Sequence, residues 1–191
     1  MPRKTVYTKD DVVRAAYNLV EECGLRSLTA RAVANKLHSS TAPVYSNFNT
    51  MDELSRETLR KGKDLLLHYA TTPHTDQVFL NMGIGVIKFA RDHCNMYRAL
   101  FLEGDTHKDI IEELRSSLLP VMDHDASLSA LSAGQKEDLL QKMSIITHGI
   151  AAQVCVGLLI AQRDKDITDT LMSVGSPVVT DALTAAEEGN L

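Results

Sequence analysis

Cysteine is scarce here: Cys23, Cys94 and Cys155 are three in number and far apart, which argues against a disulfide framework or a cysteine metal cluster. Each lies within a helical pattern, so the expectation is a reduced, packed thiol. Long apolar runs are missing too. The longest, Gly149 to Ala161, is interrupted by Gln153 and falls short of the roughly 20 residues that span a bilayer. The opening stretch MPRKTVYTKDD is polar and does not read as a secretion signal. These absences give the expectation of a cytoplasmic chain with no membrane partner. No alternating apolar–polar run of useful length is present, nor an internal repeat or low-complexity tail. Catalytic signatures are equally lacking: there is no G-x-S-x-G elbow, P-loop or H-E-x-x-H, and the glycine pair of MGIGVIKF lies in a helical stripe without a preceding strand. Glu112 and Glu113 fit a solvated face, while His93 and Cys94 are adjacent on a helix and point apart. The expectation is a protein that is not an enzyme and needs no cofactor or metal.

Charge is present and unevenly placed. Residues 1–63 hold eleven Lys and Arg against seven Asp and Glu, whereas residues 64–191 hold nine against eighteen. A basic front on an acidic body implies that the front meets a polyanion even though the whole chain carries a net −5.

Helical spacing accounts for most of the rest. Thr8 with Asp11 opens a first helix as a capping box, and Val12, Val13, Ala16, Leu19, Val20 and Cys23 recur on one face until Gly24. Thr29 caps a second helix with Ala30, Val33, Ala34 and Leu37 inside. His38, Ser39 and Ser40 make a polar turn. Ser40 then caps a third helix with Pro43 in its first turn and Val44 and Phe48 as its buried ridge. Thr50 and Glu53 suggest a second capping box, opening a fourth helix that reaches about Tyr69 before Pro73. Further helices are expected over about 76–93, 96–102 and 109–122, the last bent or ended by Pro120. Residues 123–134 are the least patterned and read as a mobile connection, followed by long helices over 135–163 and 166–187, the second kinked or split by Pro177.

Two short helices joined by a polar turn and propped by a preceding one form the arrangement that puts its second helix into a DNA major groove. With Val44 and Phe48 inward, Thr41, Ala42, Tyr45 and Ser46 are left outward near the helix start. Small side chains let such a helix sit deep, and a tyrosine can cover a sugar or bond a phosphate. A three-helix cluster that is merely a core has the same spacing.

The segments AAYNLVEECGLRSL, LTARAVANKL and VYSNFNTMDEL, within Thr8 to Leu59, resemble the amino-terminal domain of the TetR family of transcriptional regulators. The shared features are the Gly24 stop, Leu28 and Thr29 opening the second helix, Val33 and Ala34, the Tyr45-x-x-Phe48 pair, and the Asp52-Glu53-Leu54 start of the fourth. The resemblance implies an all-α chain, with a helix-turn-helix domain over 1–50 and a larger helical effector-binding and dimerisation domain over 51–191. It implies a homodimer, most simply a repressor, on a roughly palindromic operator in double-stranded DNA. Thr29 then matches a phosphate-touching position and Arg31 one that reaches guanine. Thr41, Ala42, Pro43 and Ser46 match base-facing positions, Tyr45 and Asn47 backbone-facing ones, with Ser40 at the helix start. Two positions depart from the family pattern. His38 stands where glycine is usual, which demands a left-handed backbone from a residue with a Cβ. Met51 stands where a phosphate-binding lysine is common, leaving the N–H groups near Thr50 and the charges of Arg3, Lys4 and Lys9 to compensate.

The remaining expectations concern the second domain. Gly149, Ala151, Ala152 and Gly157 permit close helix approach, and with Ile150, Val154, Leu158, Leu159, Leu171, Val174, Val178 and Leu183 they suggest a four-helix dimer interface from the two last helices. Internal packing of the same faces is the other reading. Met82, Phe89, Met96, Tyr97, Phe101, Met122, Met143 and His148 are candidates to line a pocket for a partly apolar small-molecule effector, although such a stripe also describes plain core. The mechanism expected is a choice between two spacings of paired recognition helices, because half-sites on one face of B-DNA lie about 34–36 Å apart. A helical dimer of this shape that acts without DNA is the competing class.

Overall fold

The computed structural model describes residues 7–103, 107–159 and 163–188. Nine α-helices and three short 3-10 turns are formed by these residues, with no strand among them. No helix among them is long and apolar enough to cross a membrane. The chain divides into two compact units, one of residues 1–64 and 95–111 and one of residues 65–94 and 112–191. This division by compactness differs from the division by role expected at residue 50.

The first unit is the head. Helix α1, Lys9–Cys23, starts on a capping box in which Thr8 Oγ1 accepts from Asp11 N while the Asp11 carboxylate accepts from Thr8 N. Helix α2, Ala30–Lys36, is capped by Thr29, whose Oγ1 accepts from Ala32 N. Helix α3, Ala42–Asn47, has Thr41 at its N-cap rather than Ser40, and no side chain caps it. Ser40 Oγ instead accepts a long 3.4 Å bond from Ala42 N. Helix α4 runs Met51–Thr71. Its expected capping box is only half made: Glu53 N donates to Thr50 Oγ1, but the Glu53 carboxylate takes the N–H of Asn49. Val12, Ala16, Leu19, Val33, Val44, Phe48 and Leu54 close one buried core. Burying them is what holds helices of seven and six residues, which are too short to persist alone.

The turn between α2 and α3 answers the question raised by His38. Its φ is +50°, the single positive value at a non-glycine among the described residues. Histidine therefore occupies the left-handed conformation that glycine adopts without steric cost. His38→Gly is expected to raise head stability by up to about 1 kcal/mol through relief of that contact, offset in part by unfolded-chain entropy. A higher urea midpoint with an unchanged slope checks this; a lower midpoint contradicts it.

The second unit is built around helix α5, Val78–Asp92, buried on nearly every side through Met82, Ile84, Val86, Ile87, Phe89 and Ala90. Gly85 has no room for a side chain, because a Cβ there would overlap the Tyr69 carbonyl. Helix α6, Cys94–Phe101, belongs to the first unit after its opening residue; α7, Lys108–Leu118, enters the second unit at Glu112 and is followed by a 3-10 turn over Leu119–His124 with Pro120 in its first positions. Helices α8, Ala133–Cys155, and α9, Asp164–Glu188, complete the unit.

Several sequence expectations are corrected here. Residues 123–134 are no loose connection, because Leu128 and Leu131 are buried and Asp125 accepts from Phe79 N at 2.7 Å, covering the start of α5. Burial opposes ionisation of Asp125, yet bonds from Phe79, Ser127 and Val78 hold its carboxyl below the usual carboxylate range. Helix α8 stops at Cys155, not Arg163. Gly157, at φ +74°, donates to Val154 O while Leu158 N reaches back to Gln153 O, the paired bonds of a Schellman ending. Gly157 thus ends a helix instead of easing helix contact. Pro177 neither splits nor ends α9, which is continuous through it. The cysteines differ as well: Cys94 and Cys155 form a disulfide with Cα atoms 5.1 Å apart, and Cys23 is exposed. Sequence spacing could not show this, since two positions separated by 61 are brought together only by tertiary packing.

Candidate nucleic-acid interface

The interface begins with how α3 is held. Val44 and Phe48, 1% and 2% exposed, anchor one side of it in the head's core. The Lys9 ammonium lies 5.2 Å from the centre of the Phe48 ring. The opposite side carries Ala42, Tyr45 and Ser46, all exposed, with Thr41 and Pro43 half-buried beside them. Tyr45 is 59% exposed, so its ring is not part of the core. Ser46 Oγ donates to Pro43 O at 3.1 Å and accepts a long 3.5 Å bond from Asn47 Nδ2.

Asn47 is placed differently. Its Nδ2 donates to Pro43 O at 2.8 Å and to Tyr7 O at 3.2 Å, so its amide hydrogens are spent on the protein itself. The Tyr7 hydroxyl in turn donates to the carbonyl of Leu37, the residue that closes α2. Tyr7 therefore ties the end of α2 to α3, one group on each. Sequence reasoning passed over Tyr7, since it precedes the first helix and carries no periodic signal.

Thr29 and Arg31 are exposed at the start of α2, and Ser40 and Thr50 are exposed at the turn and at the start of α4. Arg31 makes no ion pair among the described residues. Other cations of the head are engaged: Lys36 with Glu22 at 2.5 Å, Arg14 with Asp11 at 2.5 Å, and Lys9 with Glu57 at 3.4 Å. Arg56 and Arg60 both turn to Asp109. The basic excess of the front end is thus largely compensated within the unit, and Arg31 is an exposed cation in the first turn of α2. Exposed pairs are weak and exchangeable, so they remain available to compete for phosphate. Arg3 and Lys4 lie outside the described residues.

The effector candidates are divided. Met96, Tyr97 and Phe101 belong to the first unit and the others to the second. Tyr97 and Phe101 stack at 5.1 Å, and burial pushes the Tyr97 hydroxyl up to about 12. Met96 fills the space beside Gly62, where a Cβ would meet its sulfur at 2.5 Å. In the second unit Met82, Phe89 and Met122 are buried, Phe89 with its ring edge-on to Tyr69 at 5.7 Å. The Met143 methyl lies 2.6 Å from where a Gly175 Cβ would be. His148 is held neutral by burial, which pushes its pKa down to about 4. The dimer candidates split likewise. Ile150, Ala151 and Leu171 are buried within the chain, so the internal-packing reading holds for them, while Gly149, Leu158 and Val174 are exposed together with Ile145, Val156 and Met172.

No protein-family model and no curated protein sequence matches the chain. Solved structures do. A TetR-family transcriptional regulator from Streptomyces coelicolor superposes with a TM-score of 0.65 at 16% identity, over 92% of this chain and 88% of that one. A possible TetR-family regulator from Streptomyces coelicolor A3(2) gives 0.55 at 13% identity, over 95% and 98%. The TetR-family repressor AlkX from Dietzia sp. strain DQ12-45-1b, described as implicated in biodegradation of n-alkanes, gives 0.51 at 16% identity, over 94% and 100%. The chain has the fold of these regulators, an amino-terminal helix-turn-helix domain followed by a helical carboxy-terminal one.

Proposed function

We propose that this chain is a DNA-binding transcriptional regulator of TetR type, a homodimeric repressor whose operator is roughly palindromic. One observation carries the reading: α3 turns Val44 and Phe48 inward and leaves Ala42, Tyr45 and Ser46 exposed, with exposed Arg31 and Thr29 at the start of the neighbouring helix. A rod with one anchored side and one open side of small groups fits a major groove. In this reading Arg31 bonds O6 and N7 of guanine. Thr29, Ser40, Tyr45 and Thr50 meet phosphates, and Thr41, Ala42, Pro43 and Ser46 face bases. Asn47 contributes by holding α3 to Tyr7.

The second copy is taken to dock on the outer faces of α8 and α9 and the turn that follows α8, where Ile145, Met172 and Val174 on the helices and Val156 and Leu158 in the turn are exposed. Five large apolar side chains left exposed in one unit would be covered by an isologous contact. A small, partly apolar effector held within the second unit, among Met82, Phe89, Met122, Met143 and His148, then favours a spacing of the two heads that no longer matches both half-sites. By linkage, operator must weaken effector binding by the same factor.

The test is retardation of duplexes selected from random sequence, measured over a salt series. Binding should weaken steeply with salt, and the selected sequences should form a palindrome. Arg31→Ala is expected to weaken binding by about 1–3 kcal/mol and to relax preference at one base of each half-site. Its urea midpoint should not change. Absence of any retarded species at low salt overturns the reading in favour of a dimer acting without DNA, and an unaltered base preference in Arg31→Ala removes Arg31 from the interface.

A further inference from the structure

The disulfide between Cys94 and Cys155 joins the first residue of α6 to the last residue of α8. Both cysteines are only partly buried. Two observations set this bridge apart from a simple staple. At one end, α8 stops at the bridge, and the residues that follow, Val156 and Leu158, are 58% and 79% exposed. At the other end, Cys94 is followed by Asn95, whose Nδ2 donates to Glu21 O in the last turn of α1 at 2.8 Å. Consecutive residues are thus cross-linked within the second unit and hydrogen-bonded within the head. The cross-linked residue and the hydrogen-bonded one are a single peptide bond apart in the chain.

We propose that Cys94 and Cys155 are a reversible dithiol–disulfide pair, oxidised by a hydroperoxide and reduced by a small dithiol, whose state sets the affinity of the head for DNA. The affinity part rests on the DNA-binding reading above. In oxidation one thiolate attacks the O–O bond of hydrogen peroxide, expelling hydroxide and becoming a sulfenic acid. The second sulfur displaces the sulfenic oxygen as water. The two thiols lose two electrons and two protons, and the peroxide becomes two waters. In reduction a thiolate of the dithiol attacks one sulfur of the bridge, and its second thiol closes a ring that expels the remaining cysteine. With the bridge closed, the start of α6 is fixed to the end of α8; with it open, each is held by non-covalent contacts alone.

The experiment uses the full chain carrying Cys23→Ser, which removes the exposed third thiol. Protein treated with hydrogen peroxide or with dithiothreitol is alkylated under denaturing conditions and weighed, and each form is titrated against a duplex selected from random sequence in both states. The reduced form should take two alkyl groups and the oxidised form none. The two forms should differ in DNA affinity by about 5- to 150-fold, the usual range for coupled sites. The difference should vanish in chains also carrying Cys94→Ser or Cys155→Ser. Two alkylated thiols after peroxide, or equal affinities of the two forms, overturns the redox proposal and leaves the DNA-binding reading standing. Failure of both forms to retard any duplex overturns the proposal and that reading together.

Discussion

Ile145→Glu is expected to turn the proposed dimer into monomers at concentrations where the unmodified chain is paired, with the proposed operator binding lost alongside. Ile145 is 69% exposed in the single chain and lies on α8 one turn before Gly149, where a side-chain carbon would have open space for 4 Å around it. In the proposed isologous contact each substitution counts twice, once per copy. Losing two buried isoleucines removes about 3–6 kcal/mol of transfer energy, from about 1.5–3 kcal/mol each. Two unpaired carboxylates in the contact add several kcal/mol more. The dissociation constant should therefore rise by at least about two orders of magnitude, since each 1.4 kcal/mol is about tenfold. Sedimentation or light scattering across a concentration series reads this directly. Leu102→Glu is the matched control, because Leu102 is similarly exposed but lies just beyond the end of α6. If Ile145→Glu stays dimeric while Leu102→Glu falls apart, the contact is elsewhere.

Phe48→Ala should cost the head about 3–5 kcal/mol, the usual range for deleting a buried aromatic side chain from a closed core. Phe48 caps the end of α3 and packs in the cluster formed by Val12, Ala16, Val33, Val44 and Leu54. Domains are stable by only about 5–15 kcal/mol in all, so most of the head's reserve disappears. Helix α3 has six residues and no side-chain cap, and it has no stability of its own to fall back on. DNA binding should be lost near room temperature, whereas the core around α5, which lies in the other unit, should keep its transition. Two transitions in a urea titration followed by circular dichroism, with only the first moved, is the expected result. A head that melts as before would mean that α3 is not anchored through Phe48.

Much of the head was legible because its signals are local. Thr8 with Asp11, Thr29, and Gly24 each act within four residues, and the helices begin and end where those residues place them. His38 was legible for the same reason, since a left-handed turn is a property of one residue's backbone. Signals that compete locally are harder to rank. Ser40 and Thr41 are both plausible caps, and the backbone chose Thr41. Pro177 is the expected break and Gly157 only a small residue for helix contact, yet it is Gly157 that ends a helix. A glycine can enter the left-handed region at once, while a proline deep inside a packed helix costs one hydrogen bond that burial along its length can offset.

Amino-acid order alone determined the helical class, the positions of the head's helices and the two sides of α3, because helical periodicity and capping are settled between residues a turn apart. Only tertiary structure decided that Cys94 meets Cys155, that Tyr7 locks α2 to α3, and that residues 123–134 are packed around Asp125 rather than loose. Only it decided, too, which apolar residues of α8 and α9 are spent inside the chain and which are left facing outward. Those outcomes depend on pairings between distant positions, and no single stretch of chain holds the information for both partners.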